Sequence, residues 1–151
     1  MNEQQIRTLL EQVQAGEQSI DEAVTSLRML PFEDLGFAMV DHHRALRQGF
    51  PEVILCTGKT AAQVTAIAER ILEAGSDLLA TRASPDVFKV ISERLPAAQY
   101  HEEARTIVVQ KEWRDLGRGE ILVISAGTSD IPIAQEAAVT AEVMGNQVER
   151  I

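Results

Sequence analysis

The spacing of apolar residues predicts helices that alternate with short strands over most of the chain. The clearest helix begins with the capping box Thr60–Gln63, and its apolar residues recur at intervals of three and four positions. These residues are Val64, Ile67, Ala68, Ile71 and Leu72. Short apolar runs at 53–56, 78–81 and 106–109 predict strands between the helices. Ser84 followed by Pro85 predicts the start of a helix that runs to about Leu95. Because helices separate the strands, the sequence predicts an α/β fold of βαβ units with a mainly parallel sheet.

Two shorter amphipathic helices come before this part of the chain. The first is predicted at 2–15, and the second begins with the capping box Ser19–Glu22 and ends at Pro31. Each helix carries one apolar stripe, and such a stripe needs a surface to pack against. We therefore predict a helical hairpin at 1–31 that docks on the next module or on another subunit.

The last part of the chain predicts one further βαβ unit. The run 121–125 is apolar or small and rich in β-branched residues, which is typical of a strand covered on both faces. A loop of small and hydroxyl residues follows at 126–130, then a helix with Pro132 in its first turn, and 148–151 predicts the second strand. One such unit cannot bury both faces of its sheet. Either the strands before residue 110 complete the sheet, or the chain is part of a longer protein.

Candidate binding residues lie in the loops that join a strand to the following helix. Free backbone N–H groups and the positive end of the helix dipole converge there, so such loops favour anionic ligands. The last of these loops contains Ala126, Gly127, Thr128, Ser129 and Asp130. Lys59 and Arg82 lie in two earlier loops of this kind, although the glycine that a Walker A motif needs before Gly58 is missing. The alternative is that these loops are only turns, with a solvated lysine and a surface ion pair.

The densest group of ionisable residues is Asp41–Arg44, which follows a short strand predicted at 35–40. Adjacent histidines point in different directions in a helix or a strand, so they seldom share a metal ion. We interpret His42 as part of the polar face of a short helix. Cys56 lies at a strand end, and we interpret it as a buried thiol because no activating partner can be identified.

Composition narrows the classes of partner and the compartment. The net charge of −9 and the pI near 4.8 argue against binding to nucleic acid or to an anionic membrane surface. The single cysteine excludes an internal disulfide and fits a reducing cytoplasm. The first residues have neither the cationic nor the apolar region of a signal peptide, and no apolar run is long enough to span a membrane. We therefore predict a cytoplasmic protein.

Several motifs carry a resemblance to known families. The run from Ala126 to Pro132, with the alanine-rich helix after it, is similar to the opening of a PurE-type aminoimidazole ribonucleotide carboxylase domain. From about Phe32 to its end, the chain more closely resembles the LarB family, which joins a PurE-like domain to an N-terminal region of its own. The further motifs of this resemblance, in order, are Asp41–Arg44, Gly49–Ile54, Gly58–Thr60 and Ala80–Ser84.

The LarB resemblance implies a domain organisation. After the helical hairpin predicted at 1–31, it implies an N-terminal α/β domain at 32–116, and at 117–151 the start of a flavodoxin-type PurE-like domain that continues beyond the chain. In LarB-type proteins, a cysteine in that later part is associated with covalent catalysis. The resemblance also implies a homo-oligomer, an octamer, and the net charge already argues against nucleic acid and membrane as partners.

The same resemblance implies an activity and a set of site residues. LarB-type proteins carboxylate the pyridinium ring of nicotinic acid adenine dinucleotide and cleave its phosphoanhydride, on the way to the nickel-pincer nucleotide cofactor. Carbon dioxide or bicarbonate is the implied co-substrate, no cofactor is covalently bound, and Mg²⁺ is a candidate ion with no protein ligand assigned. Asp130 would handle a proton or anchor the ligand. Substrate-binding residues would be Ala126, Gly127, Thr128, Ser129, Lys59, Arg82, His43 and Arg44.

One departure from the PurE pattern bears on the choice between a LarB-type and a PurE-type enzyme. The serine that lies two positions before the Ser-Asp pair in purine carboxylases is Gly127 here, which argues against simple transfer of the purine substrate. The alternatives to a LarB-type enzyme are a PurE-related carboxylase or mutase acting on aminoimidazole ribonucleotide, and a non-catalytic assembly module. As only the first 151 residues of such an enzyme, the chain alone is expected to be inactive.

Overall fold

The structure is a computed structural model that describes residues 3–27, 32–112 and 115–151. These ranges contain six α-helices and eight β-strands, which confirms the predicted α/β class. No helix within them combines the length and the apolar character that a membrane crossing requires. The chain forms two compact units, one of residues 1–52 with 70–76 and the other of residues 53–69 with 77–151. The division into segments 1–31, 32–116 and 117–151 stays a prediction.

The first unit begins with the expected helical hairpin, formed by α1 (Glu3–Ala15) and α2 (Ile20–Leu27). The predicted capping box is present, since the Ser19 N–H donates to Glu22 Oε2 over 2.8 Å and the Glu22 N–H donates to Ser19 Oγ over 3.2 Å. Pro31, which was predicted to end the second helix, lies outside the described residues.

Two strands replace the single strand predicted at 35–40. They are β1 (Phe32–Asp34) and β2 (Met39–Asp41), which pair antiparallel. The single strand is excluded because the chain turns within it: the Gly36 N–H donates to Asp34 Oδ1 over 2.7 Å, and Gly36 has a φ of 79°. The short helix α3 (Arg44–Gln48) follows β2.

A four-stranded sheet forms the centre of the second unit. Its strands are β3 (Val53–Leu55), β4 (Leu78–Thr81), β5 (Gln99–His101) and β6 (Thr106–Val109), in the order β3-β4-β6-β5. Helix α4 (Ala61–Glu73) joins β3 to β4, and α5 (Pro85–Arg94) follows β4.

Strand direction in this sheet corrects the prediction of mainly parallel pairing. Only β3 and β4 are parallel, whereas β6 is antiparallel to both β4 and β5. The cause is a tight turn at 102–105, in which the Arg105 N–H donates to the Glu102 carbonyl over 3.1 Å. A connection this short can join only antiparallel strands. Tyr100 therefore belongs to β5, a strand separate from the run at 106–109.

Helices cover both faces of the four-stranded sheet. Tyr100 of β5 stacks on Phe88 of α5, with ring centroids 5.0 Å apart. The neighbouring register position carries Val108 on the opposite face, because successive side chains of a strand alternate. Val108 packs with Leu79 of β4 and Val139 of the last helix, α6 (Ile131–Val143). The helix of the final βαβ unit is thus part of the core of this sheet.

The two remaining strands form a separate sheet. They are β7 (Glu120–Val123) and β8 (Gln147–Arg150), which pair parallel. The expectation that the run 121–125 is covered on both faces is wrong for this chain, since Leu122 is 48 % and Ile124 is 68 % exposed. Strands β3 to β6 do not pair with β7 or β8, so they do not complete this sheet.

Candidate anion-binding site

The loops that contain Lys59 and Arg82 lie at the same edge of the four-stranded sheet. Strands β3 and β4 are parallel, so their carboxyl ends and the loops that follow them are neighbours. A backbone hydrogen bond from Cys56 N–H to the Thr81 carbonyl, 3.0 Å long, joins the two segments just beyond the strands. The structure therefore brings together two residues that the sequence singled out separately.

Lys59 lies just before the capped start of α4. Thr60 and Gln63 form the predicted capping box, in which the Gln63 N–H donates to Thr60 Oγ1 over 3.2 Å and the Thr60 N–H donates to Gln63 Oε1 over 2.9 Å. The ammonium group of Lys59 donates to the Leu55 carbonyl over 2.9 Å. This bond holds the positive charge at the carboxyl end of β3, and the ammonium has two further donors for a ligand.

Arg82 has an unusual backbone conformation, with a φ of 53° in the left-handed region. Its side chain is 62 % exposed, and its Nε lies 3.8 Å from Glu136 Oε1 of α6. The contact is a long, exposed ion pair, and such pairs stabilise a fold by less than about 1 kcal/mol. Most of the guanidinium donors of Arg82 therefore face solvent.

Ser84 begins α5 directly after this loop. As predicted, it is the N-cap, and its Oγ accepts a hydrogen bond of 3.3 Å from the Val87 N–H, with Pro85 in the first turn. The loop between β4 and α5 thus ends at the positive end of a helix dipole.

The direction of α6 places the loop 126–130 at the same end of the second unit. In the middle of α6, Glu136 contacts Arg82, which follows the carboxyl end of β4. At the carboxyl end of α6, the Val143 carbonyl accepts a hydrogen bond of 3.2 Å from Gln110, which follows β6 and lies beside the amino end of β4. The amino end of α6 therefore points beyond the edge that holds Lys59 and Arg82. Asp130 precedes Glu136 by about 9 Å along the helix axis.

Asp130 occupies the N-cap position of α6, but its side chain makes no capping hydrogen bond. Instead, its Oδ2 lies 3.3 Å from the position that a Cβ on Gly127 would occupy. The carboxylate is thus folded over the loop. Gly127 gives it space, whereas the serine of the PurE pattern would crowd it. This contact is a physical reason for the departure at position 127.

The remaining loop residues present small groups to solvent. Ala126, Thr128 and Ser129 are exposed, and Gly127 is partly buried. The Asp130 N–H donates to the Gly127 carbonyl over 2.9 Å, which closes the loop into a turn at the start of α6. A ligand can therefore approach the backbone of this loop closely.

His43 and Arg44 lie in the first unit. Asp41 organises this segment: it accepts hydrogen bonds from the His43 N–H over 3.1 Å and from Arg47 Nη2 over 2.5 Å. The bond from Arg47 is the main reason that the pKa of Asp41 is lowered. The Arg44 guanidinium lies 5.6 Å from the centre of the Phe50 ring, a cation–π distance. A role of either residue in substrate binding stays a prediction.

The burial of His42 differs from the expectation that it belongs to the polar face of a short helix. It is buried, and its Nε2 lies 2.9 Å from Glu33 Oε2, so it is an internal partner of a carboxylate. Cys56 is buried as expected. Burial raises the pKa of its thiol to about 11.

Sequence reasoning missed two residues of this edge, Tyr100 and Arg105. The Tyr100 hydroxyl donates to the Ala83 carbonyl over 3.0 Å, and Arg105 accepts a backbone hydrogen bond of 2.7 Å from the Ala83 N–H. Burial raises the pKa of Tyr100, and the positive charge of Arg105 opposes this change. The hairpin that brings β5 and β6 to this edge was not predicted, so nothing in the sequence linked these residues to Arg82.

The described residues include no group of three or more His, Cys, Asp or Glu side chains that could hold a metal ion. The edge holds cationic side chains, hydroxyls and backbone N–H groups, and the carboxylates of Glu136 and Asp130 offset part of the positive charge. This set of groups suits an anionic ligand.

The fold and this edge define an α/β protein with a cationic group of loops at the carboxyl ends of two parallel strands. Residues 32–112 match the family model described as LarB/PurE-like N-terminal domain. The match covers more than half of the chain, so the chain belongs to this family, and the resemblance to LarB proteins is confirmed.

A curated relative extends the comparison beyond the family match. The uncharacterized protein MJ0165 of Methanocaldococcus jannaschii is 28 % identical to this chain over 148 residues. The alignment covers 93 % of this chain and 57 % of the relative. The chain therefore spans little more than half the length of that relative.

Proposed function

We propose that this chain is the amino-terminal part of a LarB-type carboxylase and phosphoanhydride hydrolase. Its substrate would be nicotinic acid adenine dinucleotide, and its product pyridinium-3,5-biscarboxylic acid mononucleotide, a precursor of the nickel-pincer nucleotide. Membership in the LarB/PurE-like family, which is related to carboxylases, supports the general class. The substrate and the products are inferred from the resemblance.

One observation in the structure carries the proposal. Three loops that follow strands, with Lys59, Arg82 and Gly127–Asp130, lie at one end of the second unit. A dinucleotide is long and carries several anionic groups, so it needs several binding loops within one crevice. Strand ends that meet helix N-termini are the usual place for such ligands in α/β proteins.

The proposed roles follow from the groups available. The backbone N–H groups of Gly127, Thr128 and Ser129, with two hydroxyls, would contact the ligand. Asp130 is available to accept or donate a proton because it does not cap the helix. Carbon dioxide or bicarbonate would supply the carboxyl group, with Mg²⁺ as the candidate ion. We further propose a cytoplasmic homo-oligomer, an octamer.

Incubation with the dinucleotide and bicarbonate, followed by mass spectrometry, tests the proposal. A longer protein that contains this chain and a complete PurE-like domain is expected to form the carboxylated mononucleotide, whereas residues 1–151 alone are expected to form none. Product formed by residues 1–151 would contradict the role given to the rest of the domain. If the longer protein neither binds the dinucleotide nor forms product, the proposal is wrong and an assembly module is the better interpretation.

A further inference from the structure

We propose that Lys59, Arg82 and Arg105 form a second anion subsite, which binds a phosphoryl group at the carboxyl edge of β3 and β4. The inference rests on the proposed function in one respect. A dinucleotide has two phosphoryl groups, so a first subsite at the loop 126–130 leaves one group to be bound elsewhere. The assignment of Arg105 to the subsite comes from the geometry alone.

Backbone hydrogen bonds fix the three cationic residues at neighbouring positions. The Cys56–Thr81 bond joins the Lys59 loop to the end of β4, and the Ala83–Arg105 bond joins the next loop to the start of β6. The Tyr100 hydroxyl also binds the Ala83 carbonyl, so Ala83 is held on both sides. The backbone hydrogen bonds therefore join the three segments that carry these cationic side chains.

The backbone at Arg82 and Arg105 gives a second observation. Among the described residues they are the only non-glycine residues with positive φ, at 53° and 51°. Such conformations cost a non-glycine residue about 1 kcal/mol, and glycine would adopt them freely. The turn geometry alone thus favours glycine at both positions. Arginine at both, on two segments joined by a hydrogen bond, indicates that the side chains serve another purpose.

The electrostatic surroundings leave Arg105 available to a ligand. The Arg105 side chain is exposed and forms no hydrogen bond or ion pair within the described part of the chain. Thr106, the next residue, is fully buried, and its hydroxyl has no hydrogen-bond partner there. Glu136, beside Arg82, and Glu102 and Glu103 of the turn offset part of the positive charge. The three cations are nevertheless concentrated at one edge of a chain whose net charge is −9.

Glycine substitutions test the subsite because they remove the cationic side chain and also remove the cost of a positive φ at these positions. In a longer protein that contains this chain, Arg82→Gly and Arg105→Gly are each expected to weaken the binding of inorganic pyrophosphate, measured by calorimetry, by about tenfold. A tenfold loss is the effect expected for removing one charged hydrogen bond. The same variants are expected to keep or raise the melting temperature. Arg118→Gly is the matched control, since Arg118 is an exposed loop arginine with ordinary φ, and it is expected to bind pyrophosphate normally.

Three outcomes would overturn the subsite. They are unchanged pyrophosphate affinity in both variants, an equal loss in Arg118→Gly, and no pyrophosphate binding by the unsubstituted protein. If Arg105→Gly does not fold, Arg105→Asn replaces it, because asparagine tolerates the left-handed region. Selective loss of pyrophosphate binding in a protein that does not carboxylate the dinucleotide would support the subsite while rejecting the proposed function.

Discussion

Asp130 Oδ2 lies 3.3 Å from the place where a side chain on Gly127 would begin. The catalytic candidate of the loop is thus positioned by the absence of a side chain three residues earlier. A hydroxymethyl group at 127 would press the carboxylate away from the loop, or would form a hydrogen bond that holds it in another direction.

Gly127→Ser is therefore expected to change the loop without changing the fold. In a longer protein that contains this chain and a complete PurE-like domain, we expect turnover of the proposed dinucleotide substrate to fall about tenfold or more. The melting temperature should stay within about 2 °C, since a substitution in a surface loop seldom costs more than about 0.5 kcal/mol. Steady-state kinetics and thermal unfolding measure the two effects. Normal turnover in this variant would show that the position of the Asp130 carboxylate does not matter.

Ser129 and Asp130 should affect different steps. Ser129→Ala is expected to weaken ligand binding by about 1 kcal/mol, the contribution of one hydrogen bond, whereas Asp130→Asn should lower turnover more than affinity. Calorimetry with the dinucleotide and kcat measurements, on variants of a longer protein that contains this chain, separate the effects. If both variants keep normal binding and turnover, the loop is only a turn.

Val139 anchors α6 on the four-stranded sheet. Val139→Ala removes two methyl groups from a side chain that is 4 % exposed, so we expect a loss of about 2 kcal/mol in the free energy of unfolding. Ile133→Ala is the control on the same helix, because Ile133 is 73 % exposed and its loss should cost under about 0.5 kcal/mol. Urea unfolding of the chain measures both. Equal costs would mean that α6 does not pack as described.

The two-stranded sheet should be the least protected part of the second unit. Amide hydrogens of residues 121–123 in the monomeric chain 1–151 are expected to exchange faster than those of β4 and β6, because β7 and β8 lack further strands and β7 is largely exposed. Hydrogen exchange followed by mass spectrometry checks this. Slow exchange throughout 121–125 would require a covering surface that the structure does not show.

The buried thiol of Cys56 should make stability depend on alkaline pH. Burial raises its pKa from 9.0 to about 11, so the folded state holds the proton more strongly than the unfolded state. The stabilisation that comes from the protonated Cys56 thiol is therefore present below pH 9 and is lost as the pH rises towards 11. The difference in unfolding free energy between the unsubstituted chain and Cys56→Ala should therefore shrink over this range. A constant difference from pH 8 to pH 11 would contradict the raised pKa.

The sequence predicted local structure better than strand direction. Capping boxes at Ser19 and Thr60 and the Ser84-Pro85 start are local signals, so the helix starts were found. The direction of β6 depends on a turn at 102–105 without glycine or proline, so no signal marked the hairpin.

The same limit applies to the site. Lys59, Arg82 and the loop 126–130 were selected as candidates because each follows a strand and precedes a helix. Arg105 was not found, because it precedes a strand and reaches the edge only through antiparallel pairing of β4 with β6. The exposure of Leu122 could not be predicted either. An apolar run indicates that a strand can be buried, but it does not say which part of the protein would cover it.

Helix α6 connects the candidate loop to the opposite end of the second unit. It is a stiff rod of about 20 Å, with the candidate loop at its amino end and the Gln110–Val143 hydrogen bond near its other end. Because Val139 packs α6 against the sheet, the loop at its amino end cannot shift along the helix axis unless this packing and the Gln110–Val143 hydrogen bond shift with it.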